Sequence, residues 1–328
     1  MAAPAALWQV FGHGRFIHPR AAMTQGRILV LGNAGLDLRL ELPRLPLPGE
    51  TLLGQQPSRA AGGKGLNQAV AACRAGGQVH LLAPLGADAQ GEEVAAILRA
   101  EGLAGLDLPR LPHPTDYSVL MVLPDGENSI TGAGPCAAGL DPDAAAAFAG
   151  LAADGDLMLV QGNLTAAATH AALRAAAARG ARTVFNPAPL WWNARALLPD
   201  CTIVIANRGE AETLIGPASA EEAATRLHAC GVALAIVTLG AAGCMTADAA
   251  GSRFYPAARV DAVDTTGCGD TFCGVFAAML ARGASVDAAI ATAQHAAATT
   301  ATRPGAYAAL PTRDELATII ARHHPSPG

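Results

Sequence analysis

Lysine is almost missing from this chain: of its 22 basic residues, only Lys64 is a lysine. No run of basic residues occurs either, and the formal net charge is −5, which argues against nucleic acid as a partner. No apolar stretch reaches the length of a membrane span. The seven cysteines contain no Cys-x-x-Cys pair, and their odd, scattered count fits reduced thiols in a cytoplasmic protein. The histidines show no metal-ligand spacing, and no internal repeat is evident. Two nucleotide-binding fingerprints are absent as well. Walker A needs a hydroxyl after its lysine, and here Gly65 follows Lys64. Gly32-Asn-Ala-Gly35 lacks the spacing of a dinucleotide-binding loop.

What is present centres on two glycine-rich turns. Lys64 stands in Ala60-Ala-Gly-Gly-Lys-Gly-Leu-Asn67, where glycines on both sides let a ligand approach the backbone closely. A composition that favours arginine elsewhere yet keeps this lysine points to a compact point charge in a tight pocket, a role that guanidinium fills poorly. The second turn is Asp264-Thr-Thr-Gly-Cys-Gly-Asp270, read as a strand end, a small-residue turn and a helix start. Residues 257–263 read as extended chain leading in. Phe272, Val275, Phe276, Met279 and Leu280 then recur at helical steps as far as Gly283. Free amides and the positive end of the helix dipole make such a turn an anion site. A carboxylate at that place, Asp270, suits removal of a proton from a group attacking the anion. Helix capping alone would also account for an isolated Asp there; the lysine loop tips the reading to phosphoryl transfer.

At 328 residues and 51% hydrophobic, the chain can bury a large core. Strands are predicted at 27–32, 79–84, 157–161, 182–185, 202–206 and 233–239. Helices are predicted from Asn67 to Ala75, 91–101, 166–179, 210–215, 220–230, 286–301 and 312–323. This alternation is an α/β fold with a mostly parallel sheet covered on both faces. Extended pieces at 38–42 and 51–56, and a hairpin flanking Pro124-Asp-Gly-Glu127, fit a small separate sheet. Residues 1–26 read as a disordered extension before a single domain over 27–328. Ligands are expected beyond the carboxyl ends of the strands, at Gly32, Gly86, Gln161, Asn186, Asn207 and Gly240.

With both turns in view, the chain resembles ribokinase-like sugar kinases of the PfkB family. Gly62-Gly-Lys-Gly-Leu-Asn-Gln-Ala-Val-Ala-Ala72 is similar to that family's first signature, and Asp264-Thr-Thr-Gly-Cys-Gly-Asp-Thr-Phe272 to its second. Further similarity lies in Pro48-Gly-Glu-Thr51, Gly126-Glu-Asn128, Asn186-Pro-Ala-Pro189, Asn207-x-x-Glu210, Thr238-Leu-Gly-x-x-Gly243 and Thr302-Arg-Pro-Gly-Ala306. The resemblance implies a three-layer α/β/α domain with a small β lid, built from strands at about 38–57 and 117–131 and often used for a homodimer. It implies transfer of the ATP γ-phosphoryl group to a sugar hydroxymethyl, with Asp270 as general base and the amides of Gly267, Cys268, Gly269 and Asp270 as anion hole. Asp37, Gly62, Gly63, Lys64, Asn67 and Asn163 are the implied sugar contacts. Asn207, Glu210, Thr238, Gly240, Gly243 and Gly269 are the implied ATP site, with Asn207 and Glu210 also orienting Mg2+. Asp264, Thr266, Arg303 and Gly305 correspond to a site for K+, an activating ion.

The chain departs from the ribokinase pattern at three places. Gly35 stands where ribokinases carry Asn, Asn163 where they carry an acid, and Pro135-Cys-Ala137 where they carry Gly-Ala-Asn. The implied substrate is ribose or a related pentose, with a nucleoside as the alternative acceptor; a non-catalytic sugar-binding regulator has no need of Asp270. Arg208, where a Glu is usual, is expected to face solvent.

Overall fold

The structure is a computed structural model that describes residues 25–124 and 128–323. The hairpin turn at 125–127 and all but the last two residues of the extension expected over 1–26 lie outside the described residues; of those two, Gln25 Nε2 donates to Gly76 O and Gly26 N to Ala281 O. The chain enters through β1 (Arg27–Leu31), then climbs as β2 (Gly35–Glu41) and returns as β3 (Gln55–Gly62). Helix α1 (Lys64–Arg74) and β4 (Gln78–Leu82) follow, then a two-residue β5 (Leu85–Gly86). Next come α2 (Ala89–Ala100) and the short β6 (Gly105–Asp107) and β7 (Arg110–Leu111). A hairpin of β8 (Asp116–Val122) and β9 (Asn128–Ala133) precedes α3 (Pro135–Ala138) and α4 (Pro142–Ala149). The second half alternates: β10 (Leu157–Gln161), α5 (Ala166–Ala178), β11 (Arg182–Asn186), β12 (Ile203–Asn207), α6 (Arg208–Ile215), α7 (Ala220–Ala229) and β13 (Leu234–Thr238). It closes with β14 (Gly243–Asp248), β15 (Gly251–Pro256), α8 (Cys268–Ala281), α9 (Val286–Ala301) and α10 (Arg313–His323).

Nine strands form the main sheet in the order β15-β14-β13-β12-β11-β10-β1-β4-β6, with β14 alone running antiparallel to its neighbours β13 and β15 and the other pairs parallel. Because strand side chains alternate, one strand feeds two cores. Ile28 and Val30 of β1 pack with α1, α8 and α9 on one face; Leu29 and Leu31 pack with α4, α5 and α7 on the other. The result is the three-layer α/β/α domain. The separate four-stranded sheet, β3-β2-β8-β9, is the lid, with β2 and β8 parallel. No helix among the described residues is long and apolar enough to cross a membrane.

Several local expectations change. The second lid strand runs from Gln55 to Gly62, later than the predicted 51–56. Its Ser-Arg-Ala-Ala-Gly end has weak strand propensity, and pairing with β2 fixes it instead. Residues 257–263 join no sheet. They lead from β15 to the last turn of α9, where Val263 N and Asp264 N both donate to Ala301 O. Helix α1 starts three residues earlier than predicted, at Lys64, because Gly63 takes φ 99° and turns the chain straight into the helix. Helix α4 was not predicted at all.

Candidate active site

The main sheet reverses its order of growth between β1 and β10, and crevices open at such switch points. Here the lid closes over one side, leaving a cleft of about 920 Å3. Asp37, Gly63, Lys64, Asn67, Asn163, Asn207, Glu210, Thr238, Thr266, Gly267, Gly269 and Asp270 all line it. The two glycine turns, some 200 residues apart in sequence, thus meet.

Asp270 lies in the first turn of α8 and is 6% exposed. Asn67 Nδ2 donates to its Oδ2 at 3.1 Å and Gln68 Nε2 to its Oδ1 at 2.9 Å. Before it, Gly267 adopts the left-handed region at φ 79°, and no side chain caps the helix. Cys268 N is bonded to Thr265 O, whereas the amides of Gly269 and Asp270 find no acceptor among the described residues. Gly269 lines the cleft with open space around its Cα. These two amides and the helix dipole form a ready anion site. Cys268 does not line the cleft, and its thiol is pushed up to about 12, first by burial and then by Asp264 and Asp270.

Lys64 is held above its usual range chiefly by the charge of Asp270, against the opposing effect of burial. Asp37, on β2, has its carboxyl pushed up to about 6, mainly by burial and then by Asp270's charge; the Ser118 hydroxyl and Lys64 pull the other way. Gly62 sits behind Asp37 rather than in the cleft: a Cβ there would fall 2.2 Å from that carboxylate. Below pH 6 Asp37 takes up a proton and loses acceptor capacity. The Michaelis constant for a sugar held by Asp37 is therefore expected to rise as pH falls through 6, while in Asp37→Asn it stays flat between pH 5 and 7. A parallel rise in both proteins would exclude this role.

The positions that depart from the ribokinase pattern cluster beside Asp37. A Cβ on Gly35 would lie 2.0 Å from Asp116 O, so the neighbouring strand leaves no room for a side chain. Asp116 itself is 2% exposed and lines the cleft. Its carboxylate accepts from the amides of Cys136 (2.8 Å) and Ala137 (3.3 Å), and burial raises it to about 7. Sequence reasoning missed this acid. Asn163 Nδ2 donates to Asn33 Oδ1, leaving Asn163 Oδ1 and Asn67 Oδ1 as buried acceptors without partners among the described residues. An acceptor kept dry and unpaired is costly, so both await donors such as sugar hydroxyls.

On the far side, Asn207 and Glu210 form a reciprocal capping box at the start of α6. Burial raises the Glu210 carboxyl most, with Lys64 lowering it. Thr238 faces the cleft from the end of β13, whereas Gly240 and Gly243 lie beyond it, in the turn into β14. Gly86 also falls away from the cleft, in the two-stranded ribbon with β7. Arg208 is exposed and pairs loosely with Glu212 at 3.9 Å.

Behind the anion turn, Asp264 is 5% exposed and has no ion-pair partner among the described residues. Its Oδ1 accepts from Thr266 N and Oγ1 at 2.9 and 2.6 Å, its Oδ2 from Gly305 N at 2.8 Å. Asp264 thereby joins the second glycine turn to the 303–305 loop. The Arg303 guanidinium points away, to Glu315. From the lid, Asn128 Nδ2 reaches Thr266 Oγ1 at 3.0 Å.

The pfkB family of carbohydrate kinases matches the chain over residues 25–313. The chain belongs to that family. As a ribokinase-like PfkB kinase, it is an ATP-dependent carbohydrate kinase. It is 34% identical to the ribokinase of Haemophilus influenzae, over 88% of this chain and 96% of that protein. With the Bacillus subtilis ribokinase it shares 30% identity, over 89% of this chain and 99% of that one. The solved ribokinase of Arabidopsis thaliana, complexed with ribose and ATP, superposes with a TM-score of 0.78 at 26% identity, covering 90% and 99% of the two chains. A nucleoside kinase from Burkholderia thailandensis, solved with inosine, has the same fold (TM-score 0.76, 23% identity, 90% and 97% covered).

Proposed function

We propose that this PfkB kinase transfers the γ-phosphoryl group of ATP to the hydroxymethyl group of ribose or a related pentose, with Asp270 as general base. The observation that carries the reading is a carboxylate in the first helical turn beside two uncapped amides, with unpaired acceptors on the sugar side. Asp270 accepts the hydroxyl proton as the sugar oxygen attacks phosphorus and the bond to the ADP oxygen breaks. The amides of Gly269 and Asp270 hold the charge on the transferred group; donors of this kind are worth about 3–4 kcal/mol each where measured. Lys64 adds a compact positive charge. Most of the work is positioning and electrostatics. Asp37, Asn67 and Asn163 take the sugar hydroxyls, and Thr238 with the Asn207–Glu210 pair takes the nucleotide side.

The residues present suit both implied cations. Glu210 and Asn207, whose oxygens already serve the helix cap, would hold Mg2+ through its water shell, as that ion prefers. The buried Asp264, lacking a cationic partner, would hold K+ with carbonyls of the 303–305 loop. Mg2+ would supply charge neutralisation on the phosphates, and K+ would steady the turn that Asp264 bonds. A nucleoside is the second reading, favoured by Trp191, which lines the cleft at 59% exposure and offers a base an aromatic face. Seven free cysteines suit a cytoplasmic enzyme. Exposed Tyr117 (45%), Leu47 (65%) and Leu53 (85%), on the lid and its connecting loop, favour a homodimer formed through the lid.

The test is ADP release with Mg-ATP across pentoses, deoxypentoses, hexoses and nucleosides, with K+ or tetramethylammonium as the monovalent ion. A pentose is expected to win, and activity is expected to drop in the organic cation. Preference for a nucleoside would move the assignment to the second reading. Equal rates in both salts would remove the K+ site.

A further inference from the structure

The proposed base is held by a chain of buried amides that reaches well beyond the substrate. Gln68, fully buried in α1, uses one Nε2 group twice: it donates to Asp270 Oδ1 at 2.9 Å and to Asn186 Oδ1 at 3.0 Å. Its Oε1 accepts from Gln161 Nε2, also at 2.9 Å. Asn186 Nδ2 in turn donates to Ile205 O at 2.9 Å. Gln161 and Asn186 are register partners at the ends of β10 and β11, and Ile205 lies on β12. Three adjacent strands are therefore tied, through one helical glutamine, to one carboxylate. Neither Gln68 nor Gln161 lines the cleft, and both are 0% exposed.

The polarity of this chain is dictated from one end. A carboxylate only accepts, so Gln68 must turn its NH2 to Asp270 and its oxygen to Gln161. Gln161 must then present its own NH2 to Gln68. That leaves Gln161 Oε1 pointing at Gly32, where it has no hydrogen-bond partner among the described residues and where a Cβ would come within 1.9 Å. An unpaired buried acceptor is an expense that packing alone does not require. It makes sense as the far terminus of a polarity imposed by Asp270.

We propose that Gln68 and Gln161 are positioning residues that fix the orientation of the Asp270 carboxylate, leaving it aimed at the substrate hydroxyl. This rests on the reading of Asp270 as general base. Other charged or titratable groups facing Asp270 are Lys64, Asp37, Glu210 and the thiols of Cys268 and Cys273. All of them stay in place in the variants below.

The test compares Gln68→Met, Gln161→Met and Asp270→Asn for kcat, sugar KM and thermal midpoint. Misplacing a reacting group by about 1 Å can cost about 100-fold, so kcat in Gln68→Met is expected to fall about 10- to 100-fold. Its sugar KM should change little. Gln161→Met, which frees Gln68 to rotate, should lower kcat by a smaller factor of about 3 to 10. Adding Gln68→Met to Asp270→Asn should lower kcat no further. Should Gln68→Met fail to fold, Gln161→Met carries the test with the same readouts. Unchanged kcat in the folded variants, with only the thermal midpoint lowered, would overturn the proposal. An Asp270→Asn enzyme that keeps its rate would instead sink the base assignment itself, so the two failures are distinguishable.

Discussion

Asp270→Asn is expected to lower kcat by about 10²–10⁴ while leaving ATP binding intact, the range general-base catalysis contributes. The substitution keeps the size of the side chain and its place in the first turn of α8, and the amides of Gly269 and Asp270 remain free for the phosphate. What it removes is the proton acceptor. It also replaces one acceptor oxygen with an NH2 that faces an amide donor, either Asn67 Nδ2 or Gln68 Nε2. The neighbouring amide must rotate, so a modest loss of thermal stability accompanies the loss of rate. ATP affinity by calorimetry and single-turnover ADP formation separate the two effects. A single-turnover rate within tenfold of the parent enzyme would mean that the proton leaves by another route.

The second large effect is expected at Gly267. At φ 79° it sits in the left-handed region, which costs a residue with a Cβ about 1–2 kcal/mol. A Cβ there would also approach Ala306 Cα to 3.0 Å, so the turn and the 306 backbone must move apart. That movement re-aims the two free amides, and loss of one such donor costs about 10²–10³ in rate where measured. Gly267→Ala is accordingly expected to lower kcat about 100-fold as well as the thermal midpoint. Gly283→Ala is the matched control. Gly283 has φ 83° just beyond the other end of the same helix, with nothing within 4 Å of the added atom. It should lose similar stability and keep its activity. If both variants keep full activity, the turn at Gly267 is a helix start and nothing more.

The glycine turns were legible in the sequence because their chemistry is local: glycines, a charged residue and a helix start lie within a few positions of each other. The parallel sheet was legible from its near-continuous apolar runs, such as Leu157–Val160. The amide chain was not. Gln68, Gln161 and Asn186 are ordinary polar residues one at a time, and only the strand register brings the last two side by side. A signal did exist for Gln68, an amide in the first turn of a helix otherwise buried along most of its length. Asp116 was hidden for the same reason, since its meaning depends on β8 lying against Gly35. Helix α4 escaped because four consecutive alanines carry no apolar period, although Asp141 followed by Pro142 is a readable start signal. The extended segment 257–263 misled because its valines look like a strand, yet Val260 and Val263 are 44% and 58% exposed and pair with nothing in the sheet.

Helices α1 and α8 touch through Gly274, where a Cβ would meet Gln68 O at 2.3 Å and Ala71 Cβ at 2.9 Å. Contact that close leaves no slack: neither helix can take a larger residue at the crossing without shifting Asn67, Gln68 or Asp270. All three departures from the ribokinase pattern lie elsewhere, Gly35 in the lid, Pro135–Ala137 just after it, and Asn163 in the loop after β10. The proposed base thus hangs on one helix crossing, while the positions that set this chain apart border the cleft from other elements. Rigidity under the proposed base and change around the acceptor side are housed in different parts of the molecule.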